Sequence, residues 1–180
     1  KARWLAETVV NPRVGGGIAS RNSLMNEPVA NLASRDRART DILHEYFVPP
    51  DRFNDFVQIC QKLIPNSGQE FLNITLRYVA ADETSALSFA PGPRIAGVMS
   101  FAQLVTPEAD AGMLRLTEAM IDAIGAIGGS FYLPYRLHAR PDQVAKIYPN
   151  AREMVARKMH YDPGLVFRNA MWPAYFAQLI

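Results

Sequence analysis

Residues 72–79, LNITLRYV, alternate strictly: Leu72, Ile74, Leu76 and Tyr78 fall on one side of an extended chain, and Asn73, Thr75 and Arg77 on the other. Such a strand needs cover on one face only, so it belongs in an antiparallel sheet with an apolar and a polar side. The cover is encoded on either side of it. Phe53, Phe56, Val57, Cys60, Leu63 and Ile64 recur at three- and four-residue steps, which predicts a helix with one packed face. Leu114, Met120, Ile121, Ile124 and Ile127 supply the stripe of a second helix.

Four further segments read as strands. In DILHEYFVP, Ile42, His44, Tyr46 and Val48 share one face, Leu43, Glu45 and Phe47 the other, and Pro49 and Pro50 close the run. RIAGVMSFAQL is the clearest of the later ones, with ETSALSFA a weaker strand before it. In FYLPYR, Phe131, Leu133 and Tyr135 alternate with Tyr132, Pro134 and Arg136, and Pro134 puts the strand at an edge or ends it, because proline cannot donate to a ladder. Asp51 is the expected N-cap of the first helix, and Thr106 with Pro107 the cap and first residue of the second. Gly128 and Gly129 end that helix. After FYLPYR, Pro141 and Asp142 open a short helix, and NAREMVARKMHY forms another that Asp162, Pro163 and Gly164 stop. The order strand, helix, three strands, helix, strand predicts an α+β, ferredoxin-like fold. Its mostly antiparallel sheet gains one added strand, carries helices on one face, and leaves the other face free as a wall for a binding site.

A formal charge of +2 over 180 residues gives no basis for nucleic acid or anionic lipid as a partner, and no run is long enough for a membrane-spanning helix. The lone Cys60 excludes an internal disulfide and fits a reducing, cytoplasmic setting, and its place on the apolar helix stripe makes it a packed thiol. Gly15–Gly17 lacks the spacing and the preceding strand of a phosphate cradle and reads as a turn. Asn26–Asp41 reads as a short amphipathic helix whose Arg35, Arg37 and Arg39 face solvent or a partner domain. His44 and His160 have no ligand spacing with any Cys, Asp or Glu, so no metal site is expected.

YLPYR, then IYP, then a helix ending in RKMHYDP, then VFRN, preceded by LHEYFVPPDRFNDF and LNITLRYV, resembles the C-terminal part of FAD-linked oxidoreductases of the vanillyl-alcohol oxidase type. The likeness is greatest to the sugar-lactone, alditol oxidase and cytokinin dehydrogenase branches and covers most of the chain from Ile42. It implies a lead-in segment over 1–41, a substrate or cap domain over 42–138, and a helical tail over 139–180 packing toward a flavin domain. FAD would be bound mainly by that domain of the same polypeptide, and this chain alone would be inactive. The implied reaction is oxidation of an alcohol-bearing or phenolic small molecule by hydride transfer to flavin.

The resemblance also implies roles for residues. Arg77 is similar to an arginine that holds substrate or the charge of reduced flavin. Tyr135 and Arg136 are similar to the Tyr-Arg pair that stabilises a phenolate. Asn73, Thr75 and Ser100 would contact substrate, Thr75 standing where some relatives have an acidic residue, and Val98 where the alditol oxidase type has histidine. Fewer polar contacts suit a larger or more apolar substrate than a sugar. Arginine holds an anion but makes a poor base, so His138 is the candidate base near neutral pH. Asn169 belongs with the cofactor side, while Tyr148 and Asp162 match landmarks whose role is structural. The rival reading is a stand-alone ferredoxin-like module that binds a ligand or dimerises through its sheet face without catalysis, and the oligomeric state is open under either.

Overall fold

Three alternating runs and two apolar helical stripes settle into a four-stranded sheet with two helices on one face. The computed structural model describes residues 36–180, which form one unit. Strand β1 (Arg39–Val48) is followed by helix α1 (Phe53–Asn66), strands β2 (Glu70–Val79) and β3 (Arg94–Leu104), helix α2 (Pro107–Ala126) and a two-residue strand β4 (Ser130–Phe131). All pairings are antiparallel and the order across the sheet is β2-β3-β1-β4, the ferredoxin-like arrangement. Two short helices, α3 (Pro141–Ile147) and α4 (Ala151–Tyr161), and a tight helical turn at Trp172–Phe176 complete it.

The core lies between the sheet and its helices. Ile42, Tyr46 and Val48 of β1, Met99 and Phe101 of β3, Phe56 and Ile64 of α1, and Met113, Leu116, Met120, Ile121 and Ile124 of α2 are buried together. Leu114, expected on the α2 stripe, lies toward solvent, and Met113, Leu116 and Thr117 take the inward positions. Residues 139–180, set apart in the sequence reading as a tail, pack on this same core: Val144, Tyr148, Val155, Trp172, Tyr175 and Phe176 are all buried in it. Gly97 sits at the centre of β3 because the Phe56 ring occupies the place of a Cβ, 2.7 Å away.

Several local expectations are corrected. Residues 83–90 form no strand: the Asp82 carboxylate accepts from the Thr84 and Ser85 amides at 3.1 Å each, which folds the segment into a turn, so the sheet has four strands and no added one. The last strand stops at Phe131, one amide beyond which Tyr132 N–H still donates to the Glu45 carbonyl, and Pro134 ends the ladder. Asp51 does not cap α1, because Pro50–Arg52 makes a 3₁₀ turn and helix α1 starts only at Phe53. Thr106 does cap α2, its hydroxyl accepting from the Ala109 amide at 3.2 Å. From Arg39 the chain is strand, with Arg39 paired to Asp36 and Glu70. Gly15–Gly17, Arg35 and most of the expected helix from Asn26 lie outside the described residues.

Candidate functional site

Pairing register fixes the two sheet faces. Ile74↔Met99, Leu76↔Gly97 and Tyr78↔Ile95 share the helix-bearing side, where Phe56 of α1 meets Gly97. Asn73↔Ser100, Thr75↔Val98 and Arg77↔Ala96 therefore lie on the opposite side, together with Leu43 and Glu45 of β1. Neither long helix covers this second face. Part of it is closed by the chain itself: Phe89, from the β2–β3 loop, stacks on Phe47 at 4.3 Å, and Tyr132 meets Phe89 edge-on at 5.8 Å. What stays open is the stretch carrying Asn73, Thr75, Arg77, Ser100, Leu43 and Glu45.

Tyr135 closes one wall of that stretch. Its ring meets Tyr132 at 4.9 Å, and its hydroxyl donates to Glu45 Oε2 at 3.4 Å. Burial, then the Glu45 carboxylate, raises the Tyr135 phenol above its ordinary pKa, while the Arg77 guanidinium pulls it the other way. Tyr135 is thus the link on this face: it is hydrogen-bonded to a carboxylate, Glu45, and lies in the field of Arg77, a cation that makes no ion pair with the described residues. Glu45 was placed with Leu43 and Phe47 by its alternation but was not picked out in sequence. Only the long-range approach of Tyr135, 90 residues away, identifies it.

His138 does not join this group, and Arg136 meets only its margin. Arg136 turns its head toward Asp110 of α2, Nη1 to Oδ1 3.8 Å, away from Arg77, while it lines a small hollow at the β1 edge with Leu43, Glu45 and Tyr135. The segment after Phe131 is not a strand, and without that regular alternation the side chains on either side of Pro134 are free to diverge. His138 is drawn into a buried cluster on the helix side. Thr117 Oγ1 donates to the Met113 carbonyl at 2.8 Å and so can only accept from His44 Nε2 at 3.3 Å and His138 Nδ1 at 3.4 Å. That leaves His44 Nδ1 to accept from the Tyr46 hydroxyl at 3.1 Å. His44 is therefore neutral, its pKa lowered to about 4 by burial and then by His138; burial also lowers that of His138, against the pull of Asp110, whose Oδ1 lies 3.8 Å from its Nε2. His138 serves packing and polar satisfaction here and is not placed beside Arg77 as a base.

Asn169 sits at the other end of the molecule's chemistry. Its Oδ1 accepts from the Met171 amide at 3.1 Å and turns the chain into Trp172, beside a groove of about 460 Å³ that Leu87, Phe167 and Arg168 also line. Cys60 faces an apolar groove and burial pushes its thiol up to about 12, which makes it unreactive. No group of His, Cys, Asp or Glu suited to a metal ion occurs among the described residues. No described helix is long and apolar enough to cross a membrane. No protein family matches the chain, and no curated protein matches it.

Proposed function

We propose that this chain is the substrate-side part of an FAD-linked oxidoreductase that oxidises an alcohol-bearing or phenolic small molecule. The observation that carries the reading is the grouping of Arg77, Tyr135 and Glu45 on the helix-free face of a ferredoxin-like sheet. The motif order from Leu43 to Asn169, which resembles the vanillyl-alcohol oxidase type, supports it independently.

The residues suit one end of the cofactor only. Asn73, Thr75, Arg77 and Ser100 offer donors and a cation to a planar ring edge, whereas no glycine-rich phosphate cradle occurs among the described residues. The dinucleotide end falls to another part of the polypeptide. A flavin bound there would supply the hydride acceptor. The chain's own groups handle the charge: Arg77 holds the oxygen as it loses its proton, and Glu45 is the carboxylate placed to take that proton, with Tyr135 hydrogen-bonded to it and walling one side. Thr75 and Val98, where sugar-oxidising relatives carry more polar groups, leave the face suited to a substrate with fewer hydroxyls than a sugar.

Rapid-mixing measurement of flavin reduction in a flavoprotein containing this chain tests the assignment. Arg77→Ala is expected to slow reduction by about 10²-fold, the usual cost of removing a group aimed at developing charge, with Arg77→Lys recovering part of it. An unchanged rate removes Arg77 from the site. A reading frame with no FAD-binding half upstream of Lys1 removes the whole reading.

A further inference from the structure

Strand β2 is the outer strand of the sheet, paired with β3 on one side and with no described strand on the other. Natural edge strands are blunted by lysine, proline, bulges or short length, because a bare row of peptide groups recruits another chain. The β2 strand is ten residues long, its irregularity lies at Phe71/Asn73, and the run beyond, Asn73–Val79, pairs in unbroken register with β3. That run contains no proline or lysine and one charge, Arg77. On the helix side of the same edge Ile74, Leu76 and Tyr78 are 38%, 49% and 70% exposed. Ile74 and Leu76 continue into an apolar groove of about 310 Å³ beneath α1, lined by Phe53, Val57, Cys60 and Phe71 among others.

We propose that β2 pairs antiparallel with β2 of a second copy of this chain, about a two-fold axis at Leu76, joining two four-stranded sheets into one of eight strands. The register follows from the strand itself. Cross-strand partners share a face, so a two-fold pairing must be centred on a residue, and the irregularity at Phe71/Asn73 limits it to 73–79. Centring on Ile74 or Thr75 leaves part of the run unpaired. Centring on Arg77 sets two guanidinium groups opposite each other, which is destabilising. Centring on Leu76 pairs all seven residues: Leu76 with its mate, Ile74 with Tyr78 on the helix side, and Thr75 with Arg77 and Asn73 with Val79 on the other. Each Tyr78 then stands at the mouth of the partner's groove, beside Ile74. Within the paired run the exposed parts of Ile74, Leu76 and Tyr78 leave on the order of 300 Å² of largely apolar surface per copy, and Asn73, Thr75, Arg77, Val79 and the new backbone ladder add to it toward the ~800 Å² per partner of a standard interface.

The test uses the full 180-residue chain. Sedimentation is expected to give twice the mass of one chain, and Leu76→Lys, which puts two ammonium groups together at the axis, is expected to give a monomer with unchanged circular dichroism. In a Cys60→Ser background, oxidation of Leu76→Cys is expected to yield a covalent dimer, while Tyr78→Cys, opposite Ile74, is expected to yield none. A wild-type chain that stays monomeric overturns the proposal, whether the edge is bare or covered by residues 1–35. A dimer that links through Tyr78→Cys and not through Leu76→Cys overturns it as well.

Discussion

His44 is a histidine kept neutral by where it stands. Its ring is 5% exposed between β1 and α2, and each nitrogen has a hydroxyl partner, Tyr46 on one side and Thr117 on the other. The unfolded chain takes up a proton at the ordinary value of 6.5, but the folded chain resists doing so until about pH 4. Stability is therefore fully present above pH 6.5 and falls as the pH drops toward 4, by about 3 kcal/mol from this residue. Thermal unfolding at pH 7 and at pH 4.5 should show the loss. His44→Phe should flatten the dependence while costing stability at pH 7, since the Tyr46 and Thr117 hydroxyls lose a partner; the lowered pKa of His138 leaves a smaller slope behind. The inward position of His44 was readable from the alternation Ile42, His44, Tyr46, Val48. Its partner Thr117 was not, because position 117 falls on α2 and only the packing of α2 on β1 brings it near. The same limit hid Glu45 and misplaced Arg136 and His138. Alternation assigns a face only while the chain stays extended, and beyond Phe131 it does not.

The end of α2 shows how much element boundaries can carry. Gly128 N–H donates to the Gly125 carbonyl and Gly129 N–H to the Ile124 carbonyl, the paired bonds of a Schellman ending, with Gly128 at φ 76°. The next residue enters β4 directly, and a Cβ on Gly129 would lie 2.8 Å from the Phe47 carbonyl oxygen and 2.5 Å from Ile124 Cγ2. Gly128→Ala should cost about 1 kcal/mol from left-handed backbone alone. Gly129→Ala should cost more, about 2–3 kcal/mol, because a backbone oxygen cannot step aside. Urea unfolding of the two variants checks the ranking. Both glycines were legible as a helix stop, as were Thr106 and Pro107 at the start, since capping is a local matter. The missing strand at 83–90 was not: Ser88 and Phe89 have strand-like neighbours, but Asp82 captures the backbone ahead of them and Pro91 and Pro93 follow.

At the scale of the molecule, the C-terminal residues are structural members of the same core. Trp172 is 7% exposed, and Tyr175 accepts the Ala139 amide at 3.3 Å through its hydroxyl. Trp172→Ala should lower stability by about 3 kcal/mol, and unfolding of residues 36–180 followed by circular dichroism should stay a single transition, because sheet, helices and tail share one buried cluster. Two successive steps would mean that the tail is separable. The α+β class and the two-helix cover were legible from periodicity alone, whereas the docking of 139–180 was not, because α3 and α4 are too short to state which surface they meet. The segment 132–138 is held from behind, by the Tyr148 hydroxyl on the Phe131 carbonyl and by Tyr175 on Ala139, and it is this segment that sets Tyr135 against Glu45. The wall beside the open stretch of sheet is thus suspended from residues far along the chain. Altering Tyr148 or Tyr175 would re-aim a phenol to which neither is hydrogen-bonded, so the shape of the open face is set in part by residues hidden wholly in the interior.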